Sequence, residues 1–270
     1  MTNRKPAFAG TFYPGESEGL DETLNGFFAR AGALKRDCIA VVSPHAGYTF
    51  SGLTAAHAIG SLRPAKKFII LGPNHTGRGP DVSVWPAGSW KTPLGRCEVD
   101  RIQSLELSEA FAVKPDTTAQ EKEHSIEVQL PFLQKMFGGF SFVPVCIMAP
   151  GYQESFMKRC VAMGKMVAHT AKSHGTSIIA SSDFSHYVPA ALSCKIDGLA
   201  ARKIMELDVE GFFRAMAREG NTICGFGPIA VLMAAAKELG LKGRLLHKSH
   251  SGHVTGDDSE VVAYYAIGFY

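Results

Sequence analysis

Three short segments of this chain carry histidine directly behind apolar, largely β-branched runs: Ser43-Pro44-His45-Ala46-Gly47-Tyr48, Gly72-Pro73-Asn74-His75 and Ser181-Ser182-Asp183-Phe184-Ser185-His186. The runs before them, residues 39–42, 68–71 and 178–180, read as buried parallel strands. Open α/β sheets bind ligands beyond the carboxyl ends of their strands. Imidazoles and a carboxylate delivered to one such edge are donors suited to a metal ion or to proton transfer.

In the first two segments proline and glycine force a turn just past a strand and hold His45 and His75 near its tip. Capping of the next helices is the competing explanation, and metal ligation is the stronger one because the imidazoles recur together. Asp183 and His186 stand three apart. The carboxylate there can ligate a metal or orient an imidazole, and His186 can move a proton. A helix N-cap by Ser182 or Asp183 competes with that reading. His124, in Glu123-His124-Ser125-Ile126-Glu127, is a further candidate, although an acidic first helical turn explains the two flanking glutamates equally well.

Cys224 lies in Asn221-Thr222-Ile223-Cys224-Gly225-Phe226-Gly227-Pro228, ahead of a helix whose dipole favours the metal-binding thiolate. The other five cysteines form no CxxC pair and read as small core residues, so this is not a disulfide framework. His57, His169, His174, His247, His250 and His253 read as surface or satisfied core positions.

The elements that must position these residues alternate. Helix is predicted over residues 18–31, 51–62, 101–111, 154–173, 192–205, 209–219 and 227–239. Strand is predicted over 38–43, 67–71, 140–148, 176–181, 243–249 and 260–270. Residues 81–85 and 95–99 read as the arms of a short hairpin or an excursion over the sheet. Residues 125–137 are helical in pattern with Pro131 interrupting near the start. No linker and no 20–50-residue repeat appears. This order predicts one α/β domain over 1–270, a sandwich with a largely parallel or mixed central sheet flanked by helices.

Composition narrows the function classes. The 270 residues are 46% hydrophobic, ample for a continuous core, and the net charge is +3 without any run of five basic residues. Neither nucleic acid nor a membrane surface is called for as a partner. The longest apolar stretches, such as residues 229–236, fall well short of the ~20 residues needed to span a bilayer. The opening Met1-Thr2-Asn3-Arg4-Lys5-Pro6 leads into no apolar h-region, which predicts a cytoplasmic location. GxxxxGK[ST], GxGxxG after a strand, HExxH and GxSxG are all missing.

Six ordered motifs, Ala9-Gly10-Thr11-Phe12-Tyr13, Pro44-His45-Ala46-Gly47-Tyr48, Leu71-Gly72-Pro73-Asn74-His75, Glu123-His124-Ser125-Ile126-Glu127, Ser181-Ser182-Asp183-Phe184-Ser185-His186 and Ile223-Cys224-Gly225, together resemble the Memo family, called in microbes AmmeMemoRadiSam system protein B. The resemblance runs from the N-terminal segment to the closing strands. It implies a fold similar to the catalytic subunits of class III extradiol dioxygenases, which hold non-haem Fe(II) in a cleft. It implies that His45, His75 and Cys224 are metal ligands, that Asp183 and His186 are catalytic neighbours of the metal, and that His186 stands at the acid-base position. His124 also falls in a family motif.

Those dioxygenases use two histidines and a carboxylate, whereas the third ligand here is a thiolate unless Asp183 restores a carboxylate. A His₂Cys set suits Zn or Cu as well as Fe(II), the metal the resemblance puts first. The resemblance implies a metal-dependent redox or oxygenase-like enzyme acting on an unknown small molecule. The alternative is a non-catalytic iron- or copper-handling module that docks a peptide or protein. It also brings a radical SAM protein and an AMMECR-like protein as partners.

Overall fold

The computed structural model describes residues 3–270. Met1 and Thr2, which open the segment read above as lacking a secretory signal, lie outside them. The strands are β1 (Asn3–Arg4), β2 (Ala40–Ser43), β3 (Lys67–Pro73), β4 (Val82–Val84), β5 (Ser89–Thr92), β6 (Gly95–Val99), β7 (Ser141–Ile147), β8 (Ser177–Ser181), β9 (His186–Val188), β10 (Gly243–His250) and β11 (Val261–Phe269). The helices are α1 (Ser17–Ala31), α2 (Tyr48–Gly60), α3 (Arg101–Ala110), α4 (Leu130–Phe137), α5 (Glu154–His174), α6 (Ala190–Met205), α7 (Val209–Glu219), α8 (Phe226–Glu238) and α9 (Gly252–Thr255). A 3-10 turn at Glu127–Gln129 leads into α4.

The strands form one mixed sheet in the order β1-β5-β6-β7-β3-β8-β2-β11-β10, with β4 added to β7 and β9 to β11. Its centre is parallel. β3 and β2 flank β8, with Leu71 opposite Ala180 and Ser43 opposite Ser181. The three histidine-bearing segments therefore leave adjacent parallel strands at the same edge, where a doubly covered sheet places ligands. β11 then runs antiparallel to β2 and closes that side, with Val42 opposite Ile267.

Both faces of the sheet are covered, which is why the central strands read as unbroken apolar runs. Alternate residues of β3 serve different layers: Ile69 and Leu71 pack with α5 and α8, while Phe68 and Ile70 pack with α1, α2 and α4. Each such fully buried side chain contributes about 1.5–3 kcal/mol. In α8 every residue from Phe226 to Ala236 is buried, as expected of a helix that is apolar all round.

Three local expectations change. Residues 81–85 do not pair with 95–99; β4 adds antiparallel to β7, and the hairpin partner of β6 is β5, with Trp90 opposite Cys97. Trp90 is buried under Arg4, so the hydrophobic pattern there reports burial instead of hairpin register. Residues 125–137 split into the 3-10 turn and α4, with Pro131 in the first turn of α4, where its missing N–H costs nothing. The segment at 186–188, expected as loop, pairs with β11. Among the described residues no helix is long and apolar enough to cross a membrane.

Candidate metal centre

His45 follows β2 by two residues and is 2% exposed. Its backbone N–H and that of Ala46 donate to Asp183 Oδ1 at 2.8 and 3.2 Å, which fastens the His45 turn to the loop after β8. The ring Nδ1 lies 3.0 Å from Ser181 Oγ. Proton bookkeeping fixes that bond's direction. The single hydroxyl proton of Ser181 goes to Ser125 O at 2.5 Å, and the same oxygen accepts from Gln129 Nε2 at 2.9 Å. Gln129 is itself oriented, because its Oε1 accepts from Ser43 Oγ and its amide also donates to Pro44 O. Ser181 Oγ can therefore only accept from His45, so Nδ1 carries the proton and Nε2 keeps its lone pair.

His75 reaches the same result through a carboxylate. Its backbone N–H donates to Glu123 Oε2 at 2.6 Å and its Nδ1 to Glu123 Oε1 at 2.8 Å, leaving Nε2 free. Burial alone would raise the Glu123 carboxyl, but the hydrogen bond from His75, with the nearby imidazoles and Ser125 N–H, holds it down to about 2. Donation of the remote ring nitrogen to a carboxylate or another fixed acceptor is the usual way a ligating imidazole is oriented.

Cys224 comes to the cluster from the opposite side of the sequence. Gly225 packs its backbone so tightly on the end of β8 that an added Cβ would lie 2.5 Å from Ser181 O and from Ser182 Cβ. That approach sets Cys224 Sγ 3.2 Å from His45 Nε2. One ligand atom each from His45, His75 and Cys224 lie within 4.8 Å of one another. His45 is buried, while the His75 side chain is 33% exposed, so the cluster opens to solvent on the His75 side.

His124 belongs to the same place. Its ring stacks on His75 at 4.6 Å, meets His45 edge-on at 5.1 Å and is backed by Phe12 at 4.6 Å. Burial first, then His45, holds it down to about 3, so it is neutral. His75, Glu123 and His124 form a second group of converging donors. Both Glu123 oxygens are already engaged by N–H groups of His75, His124 and Ser125, which assigns that carboxylate to orientation.

Asp183 does not join the three converging ligands. It caps no helix either; its Oδ1 takes the two N–H groups of the His45 turn, while burial pushes its carboxyl up. His186 donates Nδ1–H to Thr222 O at 3.0 Å, and its backbone N–H goes to Thr222 Oγ1 at 2.7 Å. A carbonyl only accepts, so Nδ1 of His186 carries a proton and Nε2 takes no part in that bond. Buried Asp197 adds a second tie between the two loops, accepting from Ser185 Oγ and from Asn221 Nδ2.

Burial first, and then the Asp183 carboxylate, push the Cys224 thiol up, because desolvation of a charged sulfur outweighs what the N-terminus of α8 provides. Cys38, Cys97, Cys146 and Cys160 are buried as expected, whereas Cys194 is exposed. His57 and His247 stack on each other at 4.3 Å at the β10 edge, and His174 meets Glu106 at 2.8 Å. The sequence reading missed Glu123, Ser181, Gln129 and Thr222 as site residues. The available signals were the place of Ser181 at the end of a strand and of Glu123 beside His124; Gln129 and Thr222 stand at no strand end.

A family profile described as Memo-like protein matches residues 4–268. A MEMO1 family protein of Methanosarcina barkeri is 41% identical over 271 residues, covering 98% of each chain. One from Thermoplasma volcanium is 42% identical over 269 residues, covering 98% of this chain and 97% of that one. The crystal structure of an uncharacterized protein from Escherichia coli K12 aligns with TM-score 0.54 at 14% identity, over 85% of this chain and 99% of that one, a likeness of fold.

Proposed function

The chain belongs to the Memo-like family, and from that premise we propose that His45, His75 and Cys224 bind a divalent metal ion in a cleft that performs redox or oxygenase-like chemistry. The observation that carries this reading is the convergence of three ligand atoms, with both histidines anchored through Nδ1 so that Nε2 is left out of those bonds. Two neutral imidazoles and a cysteine sulfur suit Fe(II), Zn or Cu, with Fe(II) the first choice for oxygenase-like chemistry. When bound, such an ion supplies a Lewis acid and, if iron or copper, an electron acceptor or donor.

The chain's own residues do the rest. Glu123 and Ser181 hold the two imidazoles in register, and Asp183 holds the His45 turn. His186, anchored to Thr222 through Nδ1, offers Nε2 as the atom that takes a proton from a bound ligand and returns it. Phe12 backs the His124 ring, which meets His45 edge-on, and His45 itself is buried.

The test is anaerobic reconstitution with Fe(II), followed by metal analysis. We expect about one metal ion per chain, set by one three-donor cluster, and loss of binding in His45→Ala. Unchanged stoichiometry in that variant overturns the assignment. The second reading is a non-catalytic metal-handling or partner-binding module, favoured by the soft Cys224 donor. Oxygen uptake over a catechol panel separates the two, because full metal occupancy without turnover supports the module. A radical SAM protein and an AMMECR-like protein remain the proposed partners in that setting.

A further inference from the structure

Strand β9 breaks regular pairing at one residue. His186 and Val188 pair with the consecutive residues Val262 and Val261 of β11, so Tyr187 is the extra residue of a β-bulge, and it takes φ = 57°. Glycine normally fills such a left-handed bulge position, because a Cβ there crowds the backbone. The other non-glycine residues with positive φ among the described ones, Ala112 and Leu207, lie just past the ends of α3 and α6, where a left-handed residue is an ordinary helix stop. Tyr187 has no helix to stop.

Nor does its side chain offset the strain by packing. Tyr187 is 74% exposed, and its hydroxyl has no hydrogen-bond partner among the described residues. What the bulge achieves is direction. In a regular strand adjacent side chains point to opposite faces, yet the rings of His186 and Tyr187 have centroids 6.0 Å apart, so both stand on one side. His186 itself adjoins the cluster: it bonds Thr222, two residues before Cys224, and follows the loop in which Asp183 holds the His45 turn. Strain held at a functional position without local compensation marks a residue placed for a ligand.

We propose that Tyr187 is a specificity-determining residue of the metal site, its ring held beside His186 to lie against a flat, conjugated ligand whose polar end chelates the cation. The inference rests on the reading of His45, His75 and Cys224 as metal ligands. A Tyr187 that served only the fold would be better replaced by glycine; a Tyr187 that served the ligand would not.

The experiment uses the full chain loaded with metal and two chelators that share one head group, benzohydroxamate with a ring and acetohydroxamate without. Wild type is expected to prefer benzohydroxamate by about three- to tenfold, the scale of an aromatic contact. Tyr187→Gly loses that preference, keeps its metal content and its acetohydroxamate affinity, and melts higher by roughly 2 °C because the strain is relieved. Tyr187→Asn, which also tolerates left-handed backbone, behaves the same way, whereas Tyr187→Phe keeps the preference. Equal preference in Tyr187→Gly and wild type overturns the proposal, as does a lower melting point in the glycine variant. Failure of the metal reading is seen separately, as wild-type protein without bound metal before either hydroxamate is added.

Discussion

Ser181 and His45 form a one-way hydrogen bond: the serine gives its only proton to Ser125 O, so the imidazole must donate, and its Nε2 is left bare toward Cys224. A buried hydroxyl thereby decides the state of a histidine on the neighbouring strand. His75 is anchored through the same ring nitrogen by Glu123, a charged partner.

Ser181→Ala removes the acceptor while leaving every proposed ligand in place. Metal affinity, read by competition with a chromophoric chelator, is expected to fall about 10–100-fold, the usual cost of losing such a partner. An affinity within twofold of wild type would show that His45 is oriented by other means.

Metal uptake should depend on pH through Cys224. In the metal-free protein burial raises the thiol, so the proton is still bound at neutral pH and a cation must displace it. Affinity therefore rises with pH below the thiol's raised pKa, by close to tenfold per unit for one proton released. Cys224→Ala should bind more weakly with a flatter pH dependence, and proton release measured in weak buffer checks the count.

At the other end of the sheet, Asp37 ahead of β2 pairs with Arg244 of β10, whose guanidinium also lies 4.6 Å from the centre of the Tyr270 ring. The Arg244 hydrogen bond, assisted by Lys35, lowers the Asp37 carboxyl to about 2. A depressed carboxylate contributes stability above its unfolded pKa, near 4, and loses it as pH falls toward 2. Both side chains are 26% exposed, so salt weakens the effect. Asp37→Asn should be less stable than wild type at pH 6, with the gap closing between about pH 4 and 2; urea titrations across that range test it.

Gly225→Ala places a methyl group against the backbone Ser181 O that ends β8 and against the Ser182 side chain. Crowding of this kind costs about 1–3 kcal/mol, and relief moves Cys224 away from His45. Thermal unfolding should show the loss and metal titration a weaker site; an unchanged melting temperature would mean the two loops yield freely.

Much of the architecture was legible because both faces of the central sheet are covered. Unbroken apolar runs at residues 39–42, 68–71 and 178–180 mark such strands without regard to distant partners. The hairpin was misread because residues 81–85 and 89–92 carry similar short-range patterns. The choice of β5 over β4 as partner for β6 is made by the β7 edge and by Trp90 packing under Arg4, contacts far apart in sequence.

The amino-acid sequence by itself determined which candidate donors are present and that His45, His75 and Asp183 follow strand ends, because residue type and hydrophobic period are local properties. Tertiary structure alone decided their states. It brought Cys224 to His45 through the close contact of Gly225 with β8, turned Asp183 toward the His45 backbone, and drew Glu123, Ser181 and Thr222 into fixing imidazole protons. Protonation and orientation are set by partners and burial within a few ångströms, and those neighbours come from segments 36 to 179 residues away in the chain.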